Sequence, residues 1–234
     1  MKNIRQKNIL NNTFYMTFLA KKIKTDSLKE MLTFYAIILL LWTAYRIFFH
    51  YNEGFDEFIA KPILWLIPLF YLKKNILKET IKSLKINISY NIFLGLSIGV
   101  VYFFLYTLFA SFRFGPPAVN PDHLTIGKVF LQMLIALSTG YIEELVFRKY
   151  LLEEALLLYN DRFVANSFIT ILFTLIHLPI IIFVYKYSLL STFSYLILLA
   201  ISGFIYGLVY LKNKSLIAST ATHCIWNFLG TIIR

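Results

Sequence analysis

Residues 91–112 read NIFLGLSIGVVYFFLYTLFASF. The run carries no charge, and at 1.5 Å per residue it is long enough as a helix to cross a hydrocarbon core about 30 Å thick. Comparable blocks recur along the chain, and we place spans at about 31–49, 61–72, 91–112, 128–150, 165–185, 189–211 and 215–232. The expected fold class is therefore all-α: a polytopic membrane helix bundle of about seven transmembrane helices, with six to eight compatible. Composition agrees. The chain is 59% hydrophobic and 15% charged, where soluble domains carry about 45–50% apolar and about 25% charged residues. Block 61–72 is short for a span; a start near Phe58, with Lys61 snorkelling to the interface, would lengthen it.

The net charge of +11 does not point to nucleic acid, because the bases lie in short loops and not along one face. Lys2, Arg5, Lys7, Lys21, Lys22, Lys24 and Lys29 precede the first span. Lys73, Lys74, Lys78, Lys82 and Lys85 follow the second, Arg148, Lys149 and Arg162 mark the 4–5 junction, and Lys212 and Lys214 the 6–7 junction. The alternate loops hold Glu53, Asp56 and Glu57, then Arg113, then Lys186. Basic loops stay in the cytoplasm, so the N-terminus is expected inside. The chain divides into a basic cytoplasmic or interfacial segment, 1–30, and a single transmembrane domain, 31–234. Within the first, the run Thr13 to Ala20 suits an interfacial helix. Gly95/Gly99 and Gly203/Gly207 are GxxxG pairs that let helices approach closely, and Pro116, Pro117 and Pro121 make the 113–127 connection turn-rich.

Ionisable groups inside a span cost roughly 2.5–3.5 kcal/mol each on insertion scales and by default mark a cavity or a partner. Three sites carry that cost. In Glu143-Glu144-Leu145-Val146-Phe147-Arg148, near the expected cytoplasmic end of span four, Glu144 and Arg148 stand i, i+4 with the acid first, the favourable order for an ion pair. Glu143 points about 100° away, and desolvation there makes it the better general base. His177 lies in an apolar span just before Pro179, which disturbs the helix and can open it to a wet cavity. His223 and Asn227 are again i, i+4 and share a face. Taken singly, each has a plainer use: a helix end meeting water, a satisfied histidine, polar glue between helices. Their similar depths, counted from the cytoplasmic ends, favour one cluster.

Other chemistries fit less well. The four aspartates, Asp26, Asp56, Asp122 and Asp161, fall outside the expected spans, and no His-Glu-x-x-His helix is present. Ser202-Gly203 has Ala200 where the rhomboid serine motif has glycine. The single cysteine, Cys224, reads as an apolar filler.

The ordered set of Glu143-Glu144 with Arg148, Phe173 with His177, and His223 with Asn227 resembles the CAAX protease and bacteriocin-processing (CPBP, or Abi) family of intramembrane endopeptidases. The match covers about residues 143–227, within a core of about 120–232. The resemblance implies that Glu143 and His177 activate a water while His223 and Asn227 stabilise the oxyanion. It also implies a cavity opening to the cytoplasm and laterally to lipid. No cofactor is required by such a mechanism, although Glu143, His177 and His223 are candidate zinc ligands. The expected partners are a peptide or membrane-protein substrate and the lipid bilayer, in a bacterial cell membrane. Bacteriocin maturation or self-immunity is the expected role. The alternative is a catalytically silent membrane scaffold or immunity protein that binds a peptide partner.

Overall fold

The computed structural model describes the backbone of residues 2–49, 51–84 and 87–233. Side chains are described from Thr25 onward, apart from residues 50, 82–86, 113, 114, 122 and 234. The chain is a helical bundle. Helix α1 spans Lys2–Phe48, α2 is an unbroken helical run over 53–72, and α3 spans Ile76–Leu84. Then come α4 (Ile88–Phe114), α5 (Ile126–Leu158), α6 (Arg162–Tyr185), α7 (Leu189–Asn213) and α8 (Leu216–Ile232). The expected interfacial run 13–20 is part of α1, but its side chains lie outside the described residues.

Among the described residues, five helices are long and apolar enough to cross a membrane: α1 from Thr25, α4, α5, α6 and α7. Helix α2 carries Glu53, Asp56, Glu57 and Lys61 and packs against α1 and α5; α8 has 17 residues and packs against α4, α5 and α7. The bundle turns large apolar side chains outward. On α4, Phe93, Phe104, Phe109 and Phe112 are each more than 60% exposed, a surface suited to lipid and not to water. Its other face meets α8 through the first GxxxG pair. Gly95 lies against the Ala218 carbonyl and Ala221, and Gly99 against Thr222 and Ile225. Thr222 Oγ1 donates to the Gly95 carbonyl at 3.0 Å. A side chain at either glycine would force the helices apart.

Two spans differ from expectation. The second begins at 53, so Asp56 and Glu57 sit inside a helix and are buried. Lys61 does not snorkel: it is 3% exposed. The fourth continues past Arg148 to Leu158, so Glu143 lies mid-helix, about 15 residues or roughly 22 Å from the far end. The reason is common to both. Each base finds an acid inside the bundle, so its charge no longer marks a helix end.

Candidate active site

Three helices depart from α geometry where they carry these side chains. Helix α2 is π-helical over Asp56–Ala60 and Pro62–Leu66, on either side of Lys61. Helix α5 turns π-helical at Leu145, directly after Glu144. Helix α6 breaks at Ile176–His177, before a π-helical stretch over Ile180–Tyr185. Such wide turns recur at functional sites. In α6 the break follows from Pro179, which has no amide to give. His177 N–H bonds to the Thr174 carbonyl at 3.2 Å, which leaves the Phe173 carbonyl to the histidine ring. His177 Nδ1 lies 2.7 Å from that oxygen. A carbonyl only accepts, so Nδ1 carries the hydrogen and Nε2 is the nitrogen that faces the site.

There His177 Nε2 stands 3.9 Å from Glu143 Oε2, and His223 Nε2 3.8 Å from the same oxygen. Both gaps are too wide for a direct hydrogen bond and suit a bridging water. Glu143 Oε2 is buried with no hydrogen-bond partner in the protein. The other oxygen, Oε1, accepts from Lys61 Nζ at 2.8 Å, and Lys61 in turn donates to Glu57 Oε1 at 2.7 Å. The carboxylate is thus held at one oxygen and open at the other.

Glu144 is satisfied differently. It pairs with Arg148 (Nε to Oε2, 3.3 Å) and accepts from His223 Nδ1 at 3.1 Å. Arg148 is fully buried, donates to the Gly203 carbonyl at 3.0 Å, and lies over the Phe173 ring. Tyr206 stacks on His223, with ring centroids 4.3 Å apart. Phe173 meets both histidines edge-on, at 4.9 Å and 6.1 Å. Both imidazoles are therefore fixed in plane as well as at Nδ1.

All these groups border one cavity of about 800 Å³, except Glu144 and Arg148, which lie beneath it in the core. Asn227, one turn beyond His223, lines the same space. Ser202 lines it too, but its hydroxyl pairs with Tyr102 at 2.8 Å. Cys224 faces away, towards Met133 and an apolar groove between α4, α5 and α8. The lining extends from the histidines to Glu53, Ser111, Pro116, Tyr185, Tyr187 and Ile233, at the helix ends opposite the basic loops.

Lys61 and Glu57 were the residues missed. They carry the same signal as Glu144 and Arg148, an acid and a base at i, i+4 in an apolar run, but lie so close to the expected span end that the interface explained them.

The donor set does not fit zinc well. Among the described residues no group of three or more His, Cys, Asp or Glu side chains is arranged to hold a metal ion. The Lys61 ammonium also occupies one oxygen of the candidate ligand Glu143, a place where a second cation would be repelled.

Comparison with curated proteins and with solved structures finds no significant match. A family model described as type II CAAX prenyl endopeptidase Rce1-like matches residues 125–229, a segment that contains α5 from its start and every residue of the three motifs. Over that segment, a little under half of the chain, the sequence is similar to the Rce1-like family, the CAAX protease group that its motifs resemble.

Proposed function

We propose that the chain is a glutamate-dependent intramembrane endopeptidase that hydrolyses a peptide bond in a membrane-associated peptide or protein. The observation that carries this is the half-held carboxylate: Glu143 anchored at Oε1 by Lys61 and facing two histidine Nε2 atoms with Oε2. A water bridging Oε2 and His177 Nε2 would give its proton to Glu143 as its oxygen attacks the scissile carbonyl carbon. His223, anchored at Nδ1 by Glu144, and the Asn227 amide stabilise the oxyanion. Collapse of the tetrahedral intermediate breaks the C–N bond. Glu143 returns the proton to the leaving nitrogen as that bond breaks, leaving a carboxylic acid and an amine as products. Glu144 and Arg148 touch no reacting atom; they position His223. No step needs a metal.

A bacterial cell membrane and a role in bacteriocin maturation or self-immunity fit a small membrane peptidase of this kind and belong to the same proposal. The test compares the membrane-peptide pools of cells carrying the wild type and Glu143→Gln. The variant keeps the Lys61 contact site and the shape of the side chain, so it should fold, express normally and leave precursor uncleaved. Equal processing by a normally expressed Glu143→Gln protein would overturn the assignment and favour the silent scaffold.

A further inference from the structure

The cavity wall is acidic in a basic protein. The chain has a net charge of +11, yet among the described residues the charged side chains lining the cavity, beside the two histidines, are Glu53, Glu57, Glu143, Lys61 and Arg46. Their pairing is unequal. Lys61 alone answers both Glu57 and Glu143, and Arg46 is matched by Asp56 at 2.5 Å. Glu53 is left over. It stands exposed in the first turn of α2, and no base among the described residues comes within ion-pairing distance of it. An unpaired carboxylate on the wall of a substrate cavity is a recognition group for a cation.

The surroundings of Glu53 suit a long basic side chain. Tyr185 and Tyr187 line the same space with their rings stacked 5.1 Å apart, each 44% exposed, and Tyr185 is near enough to Glu53 to feel its charge. The face of such a ring attracts an ammonium or guanidinium, and its apolar body covers the methylene stem. Arg46, tied to α2 at Asp56, adds a contact between Glu53 and the site. It lines the cavity, is 2% exposed, and its Nε has no hydrogen-bond partner in the protein. Asp56 already answers its charge, so what Nε offers is an N–H donor suited to a peptide carbonyl.

Taking the peptidase assignment as given, we infer that Glu53 is a specificity-determining residue which, with Tyr185, selects peptides carrying a lysine or arginine near the scissile bond. The spacing follows from α2. Glu53 precedes Lys61, the residue bonded to Glu143, by eight positions, about 12 Å of helix. An extended peptide covers that length in about three to four residues, so the basic residue stands about that far from the bond that is cut. A glutamine there would lack the charge for either contact, and a glutamate would be repelled by Glu53.

The test uses the full chain in neutral detergent and synthetic peptides in which an apolar anchor is followed by small residues, with lysine, glutamine or glutamate placed at successive positions. Binding is read first, on the Glu143→Gln chain, so that no turnover is needed. Lysine peptides should bind about fivefold more tightly than their glutamine counterparts, the size of an exposed charge pair, and glutamate peptides more weakly than both. Adding Glu53→Gln should abolish the difference, Glu53→Asp should keep it, and Glu53→Lys should turn it towards glutamate peptides. Equal binding of all three, no binding, or a lysine preference that survives Glu53→Gln would overturn the inference. Hydrolysis of the same peptides by the wild type is read next, and the cuts should fall about three to four residues from the lysine; cuts unrelated to its position would also overturn the inference. If lysine peptides bind through Glu53 but none is cut, the peptidase assignment fails while the recognition site stands, so the two failures are distinct.

Discussion

Replacing Lys61 with methionine keeps the apolar stem of the side chain and deletes the ammonium, so it isolates what that charge does. Two carboxylates, Glu57 and Glu143, then face each other inside the bundle with their shared donor gone. Removing one partner of a buried ion pair costs about 3–5 kcal/mol, mostly because the other is left uncompensated. For a chain of 150–250 residues each kcal/mol lowers the melting midpoint by about 2–4 °C, so a drop of roughly 6–20 °C is expected in detergent. Peptidase activity should fall with it, since Oε1 of Glu143 loses its anchor. The double variant Lys61→Met/Glu57→Gln separates the two effects. Neutralising Glu57 removes one orphaned charge and should recover part of the midpoint. Hydrolysis should not recover, because Glu143 is still unheld. A Lys61→Met protein that melts and cleaves like the wild type would show that the ammonium is not bound to Glu143 and would refute the half-held carboxylate. Recovery of full activity in the double variant would show that Lys61 acts only by relieving Glu57.

Arg148→Met should destabilise by about 3–5 kcal/mol by leaving Glu144 unpaired, and Arg148→Lys should not restore the protein, because only the guanidinium fork reaches Glu144 and the Gly203 carbonyl together; size-exclusion profiles and melting midpoints read both. Gly99→Leu drives a side chain into Ile225 and Thr222 and should cost at least the 1–3 kcal/mol usual for overpacking, while Gly127→Ala, with nothing within 4 Å, should leave the midpoint unchanged. Cys224→Ala should preserve hydrolysis, because the thiol faces the apolar groove and not the cavity; a variant that folds but does not cleave would restore the thiol as a candidate nucleophile.

What the sequence made legible depended on whether a charge was paired in sequence or in space. The first GxxxG contact and the Glu144–Arg148 pair are local patterns, and each is where its spacing puts it. The break at His177 was legible from Pro179, but not its consequence, the ring nitrogen that takes the Phe173 carbonyl. The contact between Lys61 and Glu143 joins residues far apart in the chain, which no helical period encodes. Nor does any period encode the stacking of Tyr206 on His223.

The error over depth has a single physical source. A base in an apolar run marks the interface only if its charge has to reach water. Arg148, Lys61 and Arg46 do not: each meets a buried acid, Glu144, Glu57 or Asp56. Neutralised pairs carry little net charge, so they neither end a helix nor bias its orientation. The three pairs that hid the depth of the site are therefore also what allows its charged side chains to sit inside the bundle.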